Sequence, residues 1–489
     1  LNNLGAARGK WSVQEDDIRG PASQARSASM LRIQQELKDW QERYRKYSTQ
    51  LVNTDTSVSS TVDREMIQAE LKQCEVKLSE LFERLQLHES DTRLLFHTKR
   101  HIMQTENQVN TAQLRQHLSP NQLLLAYFLY QGKLVIFAVN TEGLIIHENP
   151  DGMAQLEYLL PLLYAHLELA NRPNQKDLSL RPICRLLNKL YNLLITPMAT
   201  LLPPSSGYLT IVPYGPLHNL PFHALFDGSH FLVEDFQINY LPSSNMLSPM
   251  DIQSGEQTAH PVYDAYHADT RRAHDLHLQK RVPVKPPLVF GYSDNGHLQR
   301  AIDEAKTLAT MLGGECYLER DATIARLYDQ APGSPIIHLA THGHSRLDAP
   351  NFSYMRLADG QLNAIDAFNL RLQGCELVTL SGCETGLALV GGGDEQLGLG
   401  RAFLVAGAAS LVISLWPVED NATNELMQIF YQHILSGESR VQALRAAQCS
   451  LLHRTSSDYT HPNFWAAFRL VGDVGPLHFR NANVPFSLD

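Results

Sequence analysis

Two short apolar segments of the chain each run into a side chain capable of nucleophilic or proton-transfer chemistry. Ile336-Ile337-His338-Leu339-Ala340 continues into Thr341-His342-Gly343, and Glu376-Leu377-Val378-Thr379-Leu380-Ser381 into Gly382-Cys383-Glu384-Thr385-Gly386. Apolar runs of this length bounded by glycine read as strands buried on both faces of a parallel sheet. Each places its reactive residue just past the carboxyl end of its strand, the edge where ligands and catalysts collect in open α/β sheets. A Cys and a His distant in sequence and adjacent in space are the form that a cysteine nucleophile and its base take.

A third run, Ser410-Leu411-Val412-Ile413-Ser414-Leu415, ends on the same expected edge at Trp416-Pro417-Val418-Glu419-Asp420. A thiolate attacks a carbonyl, an imidazole moves the protons, and a carboxylate in a pocket selects a cation in the substrate. Gly343 and Gly382 leave room for a substrate backbone and for amide N–H groups aimed at an oxyanion. His338, inside its strand, reads as a buried core residue, and Cys375, at the start of the next strand, has the same reading.

The elements that must position these groups follow from pattern and composition. The chain has 489 residues, 44% hydrophobic and 19% charged, which is globular composition; by size it should hold roughly two to four domains. Its formal charge of -10 comes without a Lys/Arg block, so nucleic-acid binding is not expected. No stretch approaches the roughly 20 apolar residues of a membrane span. Six cysteines without Cys-x-x-Cys or paired spacing indicate neither a disulfide framework nor a zinc ribbon, and a cytoplasmic protein with no metal or cofactor is expected. The first residue is Leu1 and no signal segment follows, which fits a processed chain or a piece of a longer one.

Residues 1–118 read as a helical region. Ile33, Leu37, Trp40, Tyr44, Tyr47 and Leu51 form one apolar stripe, and Ile67, Leu71, Cys74, Leu78, Leu81 and Leu85 another, so the two helices read as a coiled-coil-like hairpin. Such a hairpin packs on its own body or docks a regulatory protein partner. Residues 119–250 carry an antiparallel meander, two Leu-rich helical runs and two further strands, a first α/β half. His218 and His223 lie in its Pro-flanked loop and read as structural. Residues 251–286 are a polar linker or insertion. Its four histidines, His260, His267, His274 and His277, lack partner ligands at metal spacing. Residues 287–489 alternate strands and helices, the signature of a parallel sheet covered on both faces.

Several ordered motifs together resemble the CHAT family of caspase-like cysteine peptidases, related to caspases, metacaspases and separase. They are His338-Leu339-Ala340-Thr341-His342-Gly343, Leu380 to Gly386 around Cys383, Gly398-Leu399-Gly400-Arg401-Ala402-Phe403 with Gly407-Ala408, and Ser414-Leu415-Trp416-Pro417-Val418. Upstream, Ile211 to Leu217 and Leu220 to Leu225 resemble the family's non-catalytic first half. The resemblance implies a caspase-like α/β fold, a doubly covered sheet in two halves, pseudo-protease then active protease. It implies Cys383 as nucleophile, His342 as general acid/base and an oxyanion hole from the amides of Gly343 and Cys383. Trp416, Glu419 and Asp420 would border the pocket for the residue before the cut, where an acid accepts Arg or Lys. The implied activity is site-specific regulatory cleavage of a protein substrate. Bacterial defence and programmed cell death, with gasdermin-like pore formers among the substrates, are settings in which the family acts.

Two rival readings remain at this stage. The same fold with a silent site would be a scaffold or signalling module, which need keep neither Cys383 nor His342; a thiol acyltransferase or redox protein would use the same Cys, although no resolving Cys lies near it in sequence. Gly391 to Gly400 is glycine-rich but lacks the Gly-Lys-Ser/Thr ending of a phosphate loop. No 34-residue helical repeat precedes the α/β region.

Overall fold

A computed structural model describes residues 65–81, 111–170, 179–242, 285–346, 349–382, 389–390, 396–454 and 458–478, together with most of 32–50. The chain divides into two compact units, Leu1–Gln108 and Val109–Asp489. In the first, residues 65–81 and the described part of 32–50 are helical. Ile33, Leu37 and Tyr44 are buried on one stretch, and Leu71, Cys74, Leu78 and Leu81 on the other, the stripes read from the sequence. Arg43 of the first stretch acts electrostatically on the Cys74 thiol of the second, which burial pushes up, so the two stretches lie together. Leu51 and Leu85 lie outside the described residues, as does the linker up to residue 284.

The second unit is built on β1 (Gln122–Tyr130), β2 (Lys133–Val139), β3 (Leu144–Asn149), β4 (Tyr208–Val212), β5 (Gln237–Tyr240), β6 (Leu288–Gly291), β7 (Glu315–Leu318) and β8 (Ile336–Ala340). It continues with β9 (Gly343–His344), β10 (Tyr354–Leu357), β11 (Gly360–Asn363), β12 (Leu377–Ser381), β13 (Leu389–Val390), β14 (Gln396–Leu397), β15 (Ser410–Ser414) and β16 (Phe468–Gly472). Eleven of these form one sheet in the order β3-β2-β1-β4-β5-β16-β15-β12-β8-β6-β7. The α/β class is as expected, but the sheet is mixed. β16 runs antiparallel to β15 and parallel to β5, so it is the strand that joins the two halves into one sheet. A single short apolar run at the end of an alternating pattern carries no partner information, so the sequence does not show this pairing. β14 pairs with β13, and the helix that follows begins at Leu399.

Every residue of β8, β12 and β15 is buried. Side chains alternate across a sheet, and the register sets His338 beside Thr379 and Thr379 beside Val412 on one face. Four helices of this half bear on the site, α1 (Gln299–Leu312), α2 (Leu399–Val405), α3 (Asp420–Leu435) and α4 (Arg440–Leu452). α1 and α3 pack together and cover the His338 face, where Glu304 and Tyr431 meet the histidine. α2 lies on the other face, with Gly400 against Leu411 and Ile413. Ser439 and Gln442 form a reciprocal cap that starts α4. Strands β8, β12 and β15 are therefore covered on both sides.

The seam between the halves is polar. The His223 ring meets the Tyr240 hydroxyl at 2.9 Å through Nδ1 and the Ala466 carbonyl at 2.8 Å through Nε2. Arg469 of β16 donates to the His218 carbonyl and lies over the Tyr240 ring, 5.3 Å from its centroid. Both histidines are buried, in keeping with the structural role read for them. Among the described residues no helix is long and apolar enough to cross a membrane.

Candidate active site

The carboxyl ends of β8, β12 and β15 come level because their registers align Ala340 with Ser381 and Leu380 with Ile413. The strand ends then touch. A Cβ placed on Gly382 would lie 2.6 Å from the Thr341 carbonyl oxygen and 2.9 Å from the Gly343 nitrogen, so only glycine permits this approach. The segment bearing His342 is strapped from above by the small sheet β9-β10-β11. The Arg356 N–H donates to the His342 carbonyl at 2.9 Å, and the Thr341 hydroxyl donates to the Arg356 carbonyl at 2.5 Å. On the other side the Ser414 hydroxyl donates to the Gly382 carbonyl.

A small open cleft lies at this edge, walled by α1 and the start of α3 and floored by the strand ends. Thr341, Ser381, Gly382, Ser414, Trp416 and Asp420 line it, with Arg300 and Glu304 from α1. His342 is half-buried beside it. Burial lowers the His342 pKa; Asp294 and then Asp420 oppose that shift, while Arg356 and His297 reinforce it. The ring therefore favours its neutral, proton-accepting form near neutral pH. The Asp420 carboxyl is pushed up by burial and next by Glu304, with His342 and Arg300 acting against this. The Ser381 hydroxyl is buried and has no hydrogen-bond partner among the described residues.

Profile comparison places this edge in a known context: the profile of the CHAT domain matches residues 184–473. The chain belongs to the CHAT-domain family. Tetratricopeptide repeat protein 28 of Mus musculus and of Homo sapiens is 29% identical over 336 residues, covering 58% of this chain and 13% of theirs. The chain thus corresponds to a small part of the length of those relatives. Among solved structures, that of the Saccharomyces cerevisiae separase–securin complex matches 92% of this chain and 38% of its own, at 11% identity and a TM-score of 0.46. That of gingipain R, an Arg-specific cysteine proteinase, matches 61% and 68% at 10% identity and a TM-score of 0.33.

Within the CHAT domain, the residues singled out by sequence are partly gathered. His342 and Gly343 sit where β8 passes into β9, and Trp416 and Asp420 line the cleft. The Trp416 indole N–H is fixed on the Asn463 carbonyl at 2.9 Å. Glu419 is exposed outside the cleft lining: it accepts from the Asn421 amide at 2.8 Å and hydrogen-bonds Tyr459, just ahead of α3. Cys383 lies outside the described residues, as does the segment 391–395. His338 is wholly buried, with Nε2 2.7 Å from Glu304 Oε1 and Nδ1 3.2 Å from the Tyr431 hydroxyl, which in turn meets Thr379 at 2.8 Å. Cys375 is buried too, its thiol pushed up to about 12 by desolvation, which removes it as a nucleophile.

Sequence reading missed Glu304. The signal was present: it interrupts the stripe Ala301, Ile302, Ala305 and Leu308, so it is a lone acid on the apolar face of a helix. A carboxylate there needs a buried partner or a ligand.

Proposed function

We propose that the chain is a cysteine endopeptidase in which Cys383 is the nucleophile and His342 the general acid/base. In the cycle, His342 takes the thiol proton and the thiolate attacks the scissile carbonyl. The tetrahedral oxyanion is met by the amides of Gly343 and Cys383. Its collapse breaks the C–N bond as His342 protonates the leaving amine, and water activated by His342 then releases the acyl group. The observation that carries this reading is the cleft itself, with a half-buried His342 of lowered pKa beside it and the Gly382 backbone pressed against Thr341 and Gly343.

The residue before the cut is a basic one. Two carboxylates, Asp420 and the buried Glu304, line one cleft with the unpartnered Ser381 hydroxyl. A cation entering there relieves the mutual repulsion of the acids and gains charge-assisted hydrogen bonds. The physiological substrate is a protein cleaved at few positions, and the N-terminal helical unit offers a surface for a regulatory partner. The test is mass spectrometry of a peptide library and of candidate proteins incubated with the wild type and with Cys383→Ala. Cleavage after Arg or Lys is expected in the wild type alone, and Asp420→Ala should lower it far more than any cleavage after apolar residues. Cleavage that survives Cys383→Ala removes the mechanism; a preference for Leu or Met removes only the basic pocket.

A further inference from the structure

Past β6 the chain turns through a tight loop, residues 292–297, in which Asp294 and Asn295 both adopt left-handed backbone conformations, with φ of 50° and 59°. Asp and Asn tolerate this region better than other residues, yet it still costs roughly 1 kcal/mol each. Such a conformation persists only where its surroundings hold it. The Ser293 hydroxyl accepts from the Gly296 N–H at 3.0 Å, and the Tyr292 N–H donates to the Ala340 carbonyl at 3.1 Å, which ties the loop to the end of β8.

What the loop presents is the Asp294 carboxylate. Its Oδ1 meets Arg356 Nε at 3.0 Å, with the two side chains 14% and 28% exposed. Arg356 is also the residue whose main chain grips both Thr341 and His342. One arginine thus holds the histidine's backbone with its own backbone and holds Asp294 with its side chain. We propose that Asp294 and Arg356 are a positioning pair for His342, clamping it between β10 and the β6 loop and setting one negative and one positive charge to act on its ring. The inference rests on the reading of His342 as the acid/base.

Among the described residues, four charged or titratable groups act on that ring: Asp294 and His297 from the β6 loop, Arg356 from β10 and Asp420 from α3. Asp294 favours the imidazolium and Arg356 opposes it. The division suits a base that must also act as an acid. Asp294 stabilises the imidazolium formed when the thiol proton arrives, and Arg356 offsets enough of that attraction for the proton to pass on to the leaving amine.

The experiment is an NMR titration of the His342 imidazole in the full chain, assigned with His342→Gln, in the wild type, Asp294→Asn and Arg356→Gln. The titration midpoint is expected to fall by about half a pH unit or more in Asp294→Asn and to rise by a similar amount in Arg356→Gln. An unmoved midpoint in either folded variant, or movement of both in the same direction, overturns the pair as a positioning device. Each variant decides its own sign, so one that fails to fold leaves the other able to overturn the proposal. A second readout separates this inference from the dyad: the pH dependence of Cys383 alkylation by iodoacetamide, followed by peptide mass spectrometry. If His342→Gln leaves that profile unchanged, the dyad reading fails while opposite NMR shifts still support the pair. If the profile depends on His342 but the midpoints stay in place, the pair fails and the dyad stands.

Discussion

The two halves of the sheet meet the same problem at their carboxyl edges and resolve it in opposite ways. After β4 the chain turns through Pro213 to Pro216 and delivers His223 into the seam, where Tyr240 and Ala466 satisfy both ring nitrogens and burial lowers its pKa to about 4. After β8 the chain delivers His342 half-buried, beside an open cleft, with charges of both signs acting on its ring. A histidine with every polar atom matched in a dry site can only hold structure together. One left partly solvated among charges that oppose each other can change protonation at small cost, which is what acid/base chemistry requires. The inner His338, on β8 and four residues before His342, belongs with His223: both its nitrogens have partners.

The largest expected effect separates these roles directly. His342→Ala should lower cleavage at least about a hundredfold while the denaturant midpoint stays near that of the wild type. His223→Ala should do the reverse, costing roughly 3 kcal/mol of stability because the Tyr240 hydroxyl and the Ala466 carbonyl lose a buried partner and a cavity opens. Cleavage kinetics and equilibrium unfolding on both variants check this. A stable, inactive His223→Ala would mean that the halves do not divide structure from chemistry in this way.

A second, smaller contrast uses glycine. Gly382→Ala drives a methyl group into the Thr341 carbonyl and the Gly343 amide, backbone atoms that cannot turn aside, so the strand ends must part. The expected loss is about 2 kcal/mol of stability and tenfold or more in cleavage. Gly215, in the matching loop of the first half, has φ of 56° and its nearest neighbour, Leu129 Cδ1, 3.6 Å from a built Cβ. Gly215→Ala should therefore cost about 1 kcal/mol of backbone strain and leave the rate of the folded protein unchanged. Equal effects on cleavage would erase the distinction between the edges.

Much of this was legible in the sequence, and the reason is local. β8, β12 and β15 are unbroken apolar runs, and the Asp359-Gly360 turn between β10 and β11 is written in its own two residues. His342, Trp416 and Asp420 could be placed because each follows such a run directly. What escaped depends on partners far away in the chain. Asp294 matters through Arg356, and Glu304 through His338 and Asp420. The role of β16 as the joining strand depends on β5, some 230 residues earlier by the Tyr240 and Val471 pairing. Glu419 and Asp420 are neighbours that follow the same strand. Only the start of α3 decides that one lines the cleft and the other reaches Tyr459.

The smallest expected effect concerns acid. An unfolded histidine titrates near 6.5, and His223 in the folded chain only near 4, because burial disfavours its charged form. Between those values the unfolded chain binds a proton that the folded chain does not, so this contribution to stability is whole above about pH 6.5 and is lost as the pH falls towards 4. His223 alone should cost about 1 kcal/mol between pH 7 and pH 5.5. The Nε2–H donates to the Ala466 carbonyl and fixes the ring, and the nearby Arg469 charge adds to burial in disfavouring a second ring proton. Urea unfolding at both pH values, on the wild type and on His223→Asn, isolates the effect, since asparagine does not titrate. The loss on acidification should be smaller by that amount in His223→Asn and change less in His342→Ala, whose ring is half-exposed. If His342→Ala removed the acid dependence instead, the buried titrating group would lie at the cleft and the seam would not be the acid-sensitive joint between the halves.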